Sequence, residues 1–386
     1  MISTYDAYTL ALYSYFDLFD ETLPLSLKDF KEHLFSEAYM NQQRSDLFTL
    51  MNLELAKTLD IESLGSFSIT QTINENNSSG LCATIFENDT TLVLALRGSE
   101  NLDTEYHRCG WEDWRDNLEI FLGITLQQLK IAQLFTQLKT DKKIILTGHS
   151  KGGNLALFLA LTCDDEKYRK IEHVYTFNAC GLRSDTLKSY QKRLNDTSFL
   201  AKIDCYETEH DMVSAMFKQI KQPTIIACPR DNLTLTQMLY NHQMNAFVLH
   251  GKEFEPAYRK SLYPTLFSHL VNDIIMKLPT STLEKWIYRC NDYVHSDLSV
   301  DELYHVFIYH VGQYTKIFDK LDFNQIRQIE VKTLIDALKN EWLHSGKFPS
   351  FVHTLFDSLK QDQAFFNLFK LKTGDEINDS ENTENS

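Results

Sequence analysis

The chain has 386 residues, 43% of them apolar and 24% charged, with 25 Phe and 18 Tyr, which excludes wholesale disorder and suits one large domain with a smaller one appended. Its net charge of −15 comes without a basic cluster, which argues against nucleic acid and against electrostatic docking on anionic lipid. Cysteines 82, 109, 163, 180, 205, 228 and 290 are scattered with no Cys-x-x-Cys pair, so reduced thiols are expected and neither a disulfide frame nor a zinc site is implied.

Lys28 is the first Lys or Arg, so the basic start of a secretory signal is missing. No apolar run near the middle approaches the ~20 residues needed to cross a bilayer. A soluble, cytoplasmic chain is expected.

Residues 1–60 carry Leu, Phe and Tyr at helical spacing with a break at Leu23-Pro24-Leu25-Ser26, which predicts two or three helices packed on the core. Residues 67–72, 81–86 and 91–96 read as strands separated by turn-rich stretches, an antiparallel opening to a sheet. The pattern then alternates: helix 123–139, strand 143–147, helix 153–161, strand 173–177, helix 185–194 and strand 199–206. Two more strands are expected near 224–227 and 246–249. Alternation of this kind predicts an α/β fold, a mostly parallel central sheet flanked by helices, with a core over residues 61–259. From about 260 the pattern is helical only, with capping boxes at Ser281-x-x-Glu284 and Ser299-x-x-Glu302. Residues 260–373 are expected to form a helical C-terminal region, either a lid over the site or a partner-binding appendage. Residues 374–386 are expected to be a disordered acidic tail.

Chemistry centres on Gly148-His149-Ser150-Lys151-Gly152. A Gly-x-Ser-x-Gly pentapeptide between a buried strand and a helix has the pattern of a nucleophile elbow, with Ser150 as nucleophile on a strained turn. Serine needs a base to take its proton, and in such folds the acid and then the histidine follow the serine along the chain. Asp211, in Tyr206-Glu-Thr-Glu-His-Asp-Met-Val213, lies just past a predicted strand and is the expected acid, with Glu209 and Asp204 as rivals. His242 is the expected base, with His250 as the alternative; the histidines beyond residue 260 read as structural, and His149 as a local packing residue. The oxyanion would be met by the backbone N–H of Lys151 and by Ser99, which follows Arg97-Gly98 at a strand end. No metal or cofactor is called for.

Leu94-Ala-Leu-Arg-Gly-Ser99, Trp111-Glu-Asp-Trp-Arg-Asp-Asn117, Leu146-Thr-Gly-His-Ser-Lys-Gly-Gly-Asn-Leu-Ala156 and Val174-Tyr-Thr-Phe-Asn-Ala-Cys-Gly181 resemble successive blocks of class 3 lipases. They are more similar still to a related group of uncharacterised bacterial lipase-like (Mbeg-like) hydrolases, in which a block like His242-Gln-Met-Asn-Ala-Phe-Val-Leu-His-Gly-Lys-Glu-Phe254 follows the acid. The resemblance spans residues 91–254. It implies an α/β-hydrolase fold and carboxyl-ester hydrolysis by Ser150, Asp211 and His242, with Ser99 in the oxyanion hole, on a small acyl ester or lipid-like substrate. Lys151 departs from the Leu common in such lipases, and Cys180 from the Pro; neither removes a catalytic group. A thioesterase or amidase would use the same residues, and a binding protein on a hydrolase fold is the reading from another class.

Overall fold

The computed structural model describes residues 2–19, 21–42, 47–100, 110–229 and 240–294. The expectations for residues 295–386, including the second capping box and the acidic tail, lie outside the described residues.

Within the first sixty residues the described chain forms α1 (Thr4–Tyr13), α2 (Leu27–Leu34), α3 (Glu37–Gln42) and α4 (Leu47–Thr58), more helices than the spacing suggested. α1 is started by a full capping box, in which Ser3 and Asp6 each accept from the other's backbone N–H. It is buried from Tyr5 to Tyr13, so it is a core helix rather than a surface one.

Eight strands stand side by side in chain order: β1 (Leu25–Ser26), β2 (Ser68–Asn74), β3 (Cys82–Glu87), β4 (Thr91–Leu96), β5 (Lys143–His149), β6 (Ile171–Phe177), β7 (Ile203–Thr208) and β8 (Thr224–Ile226). β1 to β4 pair antiparallel and β4 to β8 parallel. The antiparallel opening and the parallel remainder agree with the sequence pattern; β1, only two residues long, gave no pattern to read. Parallel neighbours need crossovers, and these are supplied by α5 (Trp111–Glu119) and α6 (Leu126–Gln137) before β5 and by α7 (Lys151–Thr162) after it.

Strand alternation divides the core between the two faces. Val93, Ala95, Ile145 and Phe177 face a cluster that includes Tyr8 and Leu12 of α1 and Phe30 of α2. Leu92, Leu94, Leu96, Ile144 and Leu146 face the other cluster, with Ile131 and Phe135 of α6 and Leu155 and Leu159 of α7. The amino-terminal helices are therefore one layer of the fold. Without them the aromatic face of the sheet would meet water.

Four expectations are corrected. The strand placed at 199–206 begins at Ile203, because Asp196 caps a helical turn over Thr197–Leu200 by accepting from the Ser198 N–H at 2.8 Å. The helix placed at 185–194 is broken at Tyr190 (φ −115°, ψ 25°) into Ser184–Ser189 and Gln191–Leu194. The strand placed near 246–249 does not join the main sheet: a 3₁₀ turn at Met244–Ala246 precedes a small hairpin of Leu249–His250 with Glu253–Phe254, turned at Gly251 with φ +64°. Helix Thr280–Val294 starts before Ser281, which lies in its first turn and is not its cap.

Candidate active site

β5 is buried from Ile144 to its end, and the chain then turns straight into α7. The turn is made by Ser150 at φ +55° and ψ −125°, a conformation costly for a residue with a side chain. The approach of strand and helix needs glycine at two points. A Cβ on Gly148 would lie 2.4 Å from the Gly152 carbonyl carbon, and one on Gly152 would lie 2.0 Å from the Leu96 oxygen. The Ser150 N–H donates to Phe177 O at 2.9 Å, tying the elbow to the neighbouring strand.

The sequence-predicted Ser150, His242 and Asp211 come together. Ser150 Oγ lies 2.7 Å from His242 Nε2, and His242 Nδ1 lies 3.0 Å from Asp211 Oδ1. An ionised carboxylate only accepts, so Nδ1 carries the proton and Nε2 is left free to accept from the serine hydroxyl. Asp211 is fully buried and also accepts from the backbone N–H groups of Val213 (2.9 Å) and Ser214 (3.0 Å). Burial alone would raise its carboxyl, but the His242 ring, Lys260 and Ser214 hold it well below the usual carboxylate range. The rivals are engaged elsewhere. Asp204 pairs with His173 at 2.8 Å and Lys221 at 3.0 Å, Glu209 accepts from the Cys228 N–H at 3.2 Å, and His250 pairs with Glu255 at 2.7 Å on the surface.

The loop after β4 meets the elbow: a Cβ on Gly98 would lie 3.1 Å from Ser150 Cβ, so Ser99 follows a residue packed on the serine. Asn117 Nδ2 donates to Ser99 Oγ at 2.7 Å. Its neighbour Asp116 forms a buried ion pair with Lys151 and accepts from the Gln127 N–H at 3.0 Å. Consecutive residues of α5 thus hold the side chains of both residues expected at the oxyanion hole. Asp113, one turn earlier, is buried beside them; burial pushes its carboxyl up to about 7, against the pull of Lys151 and the Gln127 amide.

Of the supporting residues around the base, only His149 was read from the sequence, as a local packing residue. His149 bonds Tyr15 Oη through Nδ1 (2.7 Å) and the His242 carbonyl through Nε2 (2.7 Å), and Asn178 Nδ2 donates to the same carbonyl at 3.1 Å. Asn178 sits at φ +46°, inside a block the sequence singled out, and the positive φ could have been suspected from Asn at a strand end. Tyr15 and Lys260 had no local signal. Among the described residues no group of three or more His, Cys, Asp or Glu could hold a metal ion, and no helix is long and apolar enough to cross a membrane.

A mostly parallel sheet flanked by helices, with a strained serine between a buried strand and a helix, defines the α/β-hydrolase fold. A family model described as Mbeg1-like matches residues 61–290, and the chain belongs to that family. No curated protein matches it. Among solved structures it is similar to M37 lipase, at 12% identity over 73% of this chain and 97% of that one, with a TM-score of 0.38. It is similar also to Lip2 lipase from Yarrowia lipolytica, at 14% identity over 48% of this chain and 82% of that one, with a TM-score of 0.30. Likeness that distant carries no activity across.

Proposed function

We propose that the chain is a serine hydrolase that cleaves a carboxyl ester of a small acyl or lipid-like molecule through an acyl-enzyme. The observation that carries this reading is the hydrogen-bonded line from Asp211 through His242 to a strained Ser150. In the reaction Ser150 Oγ attacks the carbonyl carbon as its proton passes to His242 Nε2, and Asp211 stabilises the imidazolium that forms. The oxyanion takes hydrogen bonds from Lys151 N–H and from Ser99. Collapse expels the alcohol with the proton from His242. Water, activated by the same histidine, then releases the acid and restores the serine. A thioester or amide would be cut by the same steps, so the ester preference follows from the family resemblance. Cys82, Cys163, Cys180, Cys205 and Cys228 are free thiols, which suits a reducing compartment such as the cytoplasm.

Fluorophosphonate labelling and hydrolysis of an activated short acyl ester test the reading. The wild type should label at Ser150 and turn over the ester; Ser150→Ala should do neither while keeping its fold by circular dichroism. His242→Ala should slow both by orders of magnitude. Wild-type protein that does not label, or a Ser150→Ala variant with wild-type turnover, would refute the assignment.

A further inference from the structure

Asp211 is not the only carboxylate buried at the end of β7. Glu207, on the strand itself, is 4% exposed, and its charge adds to that of Asp211, so ionising both in the interior is costly unless a cation offsets one of them. The cation is Lys260. Its Nζ lies 2.9 Å from Glu207 Oε2 and 3.0 Å from the Asp211 main-chain oxygen, and it also donates to Ser214 Oγ. The three donors of an ammonium group therefore meet three oxygens. Two belong to residues that bracket the turn around the Asp211 carboxylate, because the Ser214 N–H donates to Asp211 Oδ2 at 3.0 Å.

The backbone delivers Lys260 to this point. After the hairpin the chain returns along β8, with Ala227 N–H donating to Glu255 O, Ala257 N–H to Ile225 O and Ser261 N–H to Glu209 O, each at 2.8 Å. The first two bonds hold the stretch before Lys260 along β8, and the third holds the residue after it against the loop that carries the acid. Charge bookkeeping gives the contact a consequence. At rest the buried group holds the anions Glu207 and Asp211 and the cation Lys260; when His242 accepts the serine proton, the group becomes neutral. Lys260 cancels Glu207, so Asp211 is left as one anion for one imidazolium.

We propose that Lys260 is a positioning residue of this site, holding the turn that carries Asp211 and offsetting Glu207 so that the Asp211–His242 pair keeps its geometry and its proton balance. The inference rests on the hydrolase reading. The titratable groups facing the pair include Glu207 and Lys260 on one side, the buried thiol of Cys180, which feels the Asp211 charge, and, on the other side, His149, whose ring centre is 4.9 Å from that of His242, with Tyr15 behind it. Glu209 and His210 pair with each other on the same loop, at 3.8 Å.

The test compares Lys260→Met, Lys260→Arg, Glu207→Gln and the double variant Glu207→Gln/Lys260→Met in the full chain. Two quantities are read: the pH profile of kcat/KM, and the pH midpoint of the His242 ring resonances by NMR, which needs no turnover. Lys260→Met should lower kcat/KM roughly 10–100-fold, since small misplacement of a catalytic group costs that much. It should move both midpoints to higher pH, because an unopposed Glu207 favours imidazolium. Lys260→Arg should recover most of the rate. The double variant should return the midpoint to the wild-type position while the rate stays low, because the Asp211 and Ser214 contacts are still lost. Glu207→Gln, which keeps the lysine, should move the midpoint to lower pH and serves if Lys260→Met does not fold. Unchanged midpoints in Glu207→Gln, or a Lys260→Met variant with wild-type rate and midpoint, would overturn the proposal. A wild type that never labels with fluorophosphonate would instead bring down the hydrolase reading, while the NMR midpoints still report whether Lys260 governs the Asp211–His242 pair.

Discussion

Lys151 stands next to the proposed nucleophile where related lipases commonly have Leu, and its side chain and that of Asp116 are each only 4% exposed. Removing one partner of such a pair strands a charge in the interior, at a cost of about 3–5 kcal/mol, whereas removing both charges is close to neutral. Lys151→Met should therefore destabilise the fold by about that amount, a fall of roughly 5–8 °C in Tm for the compact unit Met1–Ser296. Asp116→Asn, which keeps an oxygen for the Gln127 N–H, should also be costly because it leaves the ammonium unpaired. The double variant Lys151→Met/Asp116→Asn should regain most of the loss, giving a coupling energy of roughly 2–4 kcal/mol in a double-mutant cycle. Urea unfolding of the four proteins measures it. Additive losses, with no recovery in the double variant, would refute the claim that these two charges stabilise each other in the interior.

Two further outcomes are expected. Ser99→Ala should lower kcat by ~10² with little change in KM if its hydroxyl, already oriented by Asn117, faces charge that appears only in the transition state; an effect confined to KM would mean ground-state contact instead. Asp113 titrates at about 7 in the folded chain, so the folded state keeps a proton that the unfolded state gives up from roughly pH 4. Its stabilising contribution is complete below that pH and is lost as pH rises to about 7. The Tm of the wild type should accordingly fall relative to that of Asp113→Asn across that window, and a difference independent of pH would contradict a raised carboxyl.

Much of the site was legible because its chemistry is local in sequence. A buried strand, two glycines around a serine and a following apolar helix are adjacent residues, so the elbow at Ser150 could be read directly. Asp211 and His242 were chosen by their order along the chain, Asp211 for its place just past an expected strand and His242 for its place in a loop before the last one, not by any periodicity. What failed depended on single side chains or on partners far away. Asp196 converts 197–200 to a helical turn through one capping bond, and β1 exists because Leu25 and Ser26 find Ile69 and Ser68. The Trp111–Glu119 helix was visible only as a resemblance block. Its alternating polar residues face buried partners, Asp116 on Lys151 and Asp113 on Gln127, so its pattern lacks the apolar stripe of a surface helix.

Those distant partners explain how loops hold a geometry set to tenths of an ångström. His149 is buried beside His242, and burial together with the neighbouring ring pushes it down to about 3, so it stays neutral. A neutral ring has one donor and one acceptor. Because the His242 carbonyl can only accept, Nε2 of His149 carries the proton, and Nδ1 must accept from the Tyr15 hydroxyl. This assignment makes a second imidazole harmless next to the proposed base: were His149 charged, it would repel the imidazolium that His242 forms as it takes the serine proton. Tyr15, just past α1, thus holds the His149 ring that donates to the His242 carbonyl. Lys260, from the segment after the hairpin, bonds the turn that carries Asp211. The family match runs from residue 61 to 290 and so includes Lys260, whereas Tyr15 lies before it, on the stretch that follows α1. The amino-terminal helices and the segment after the hairpin belong to the site's construction as much as the elbow does.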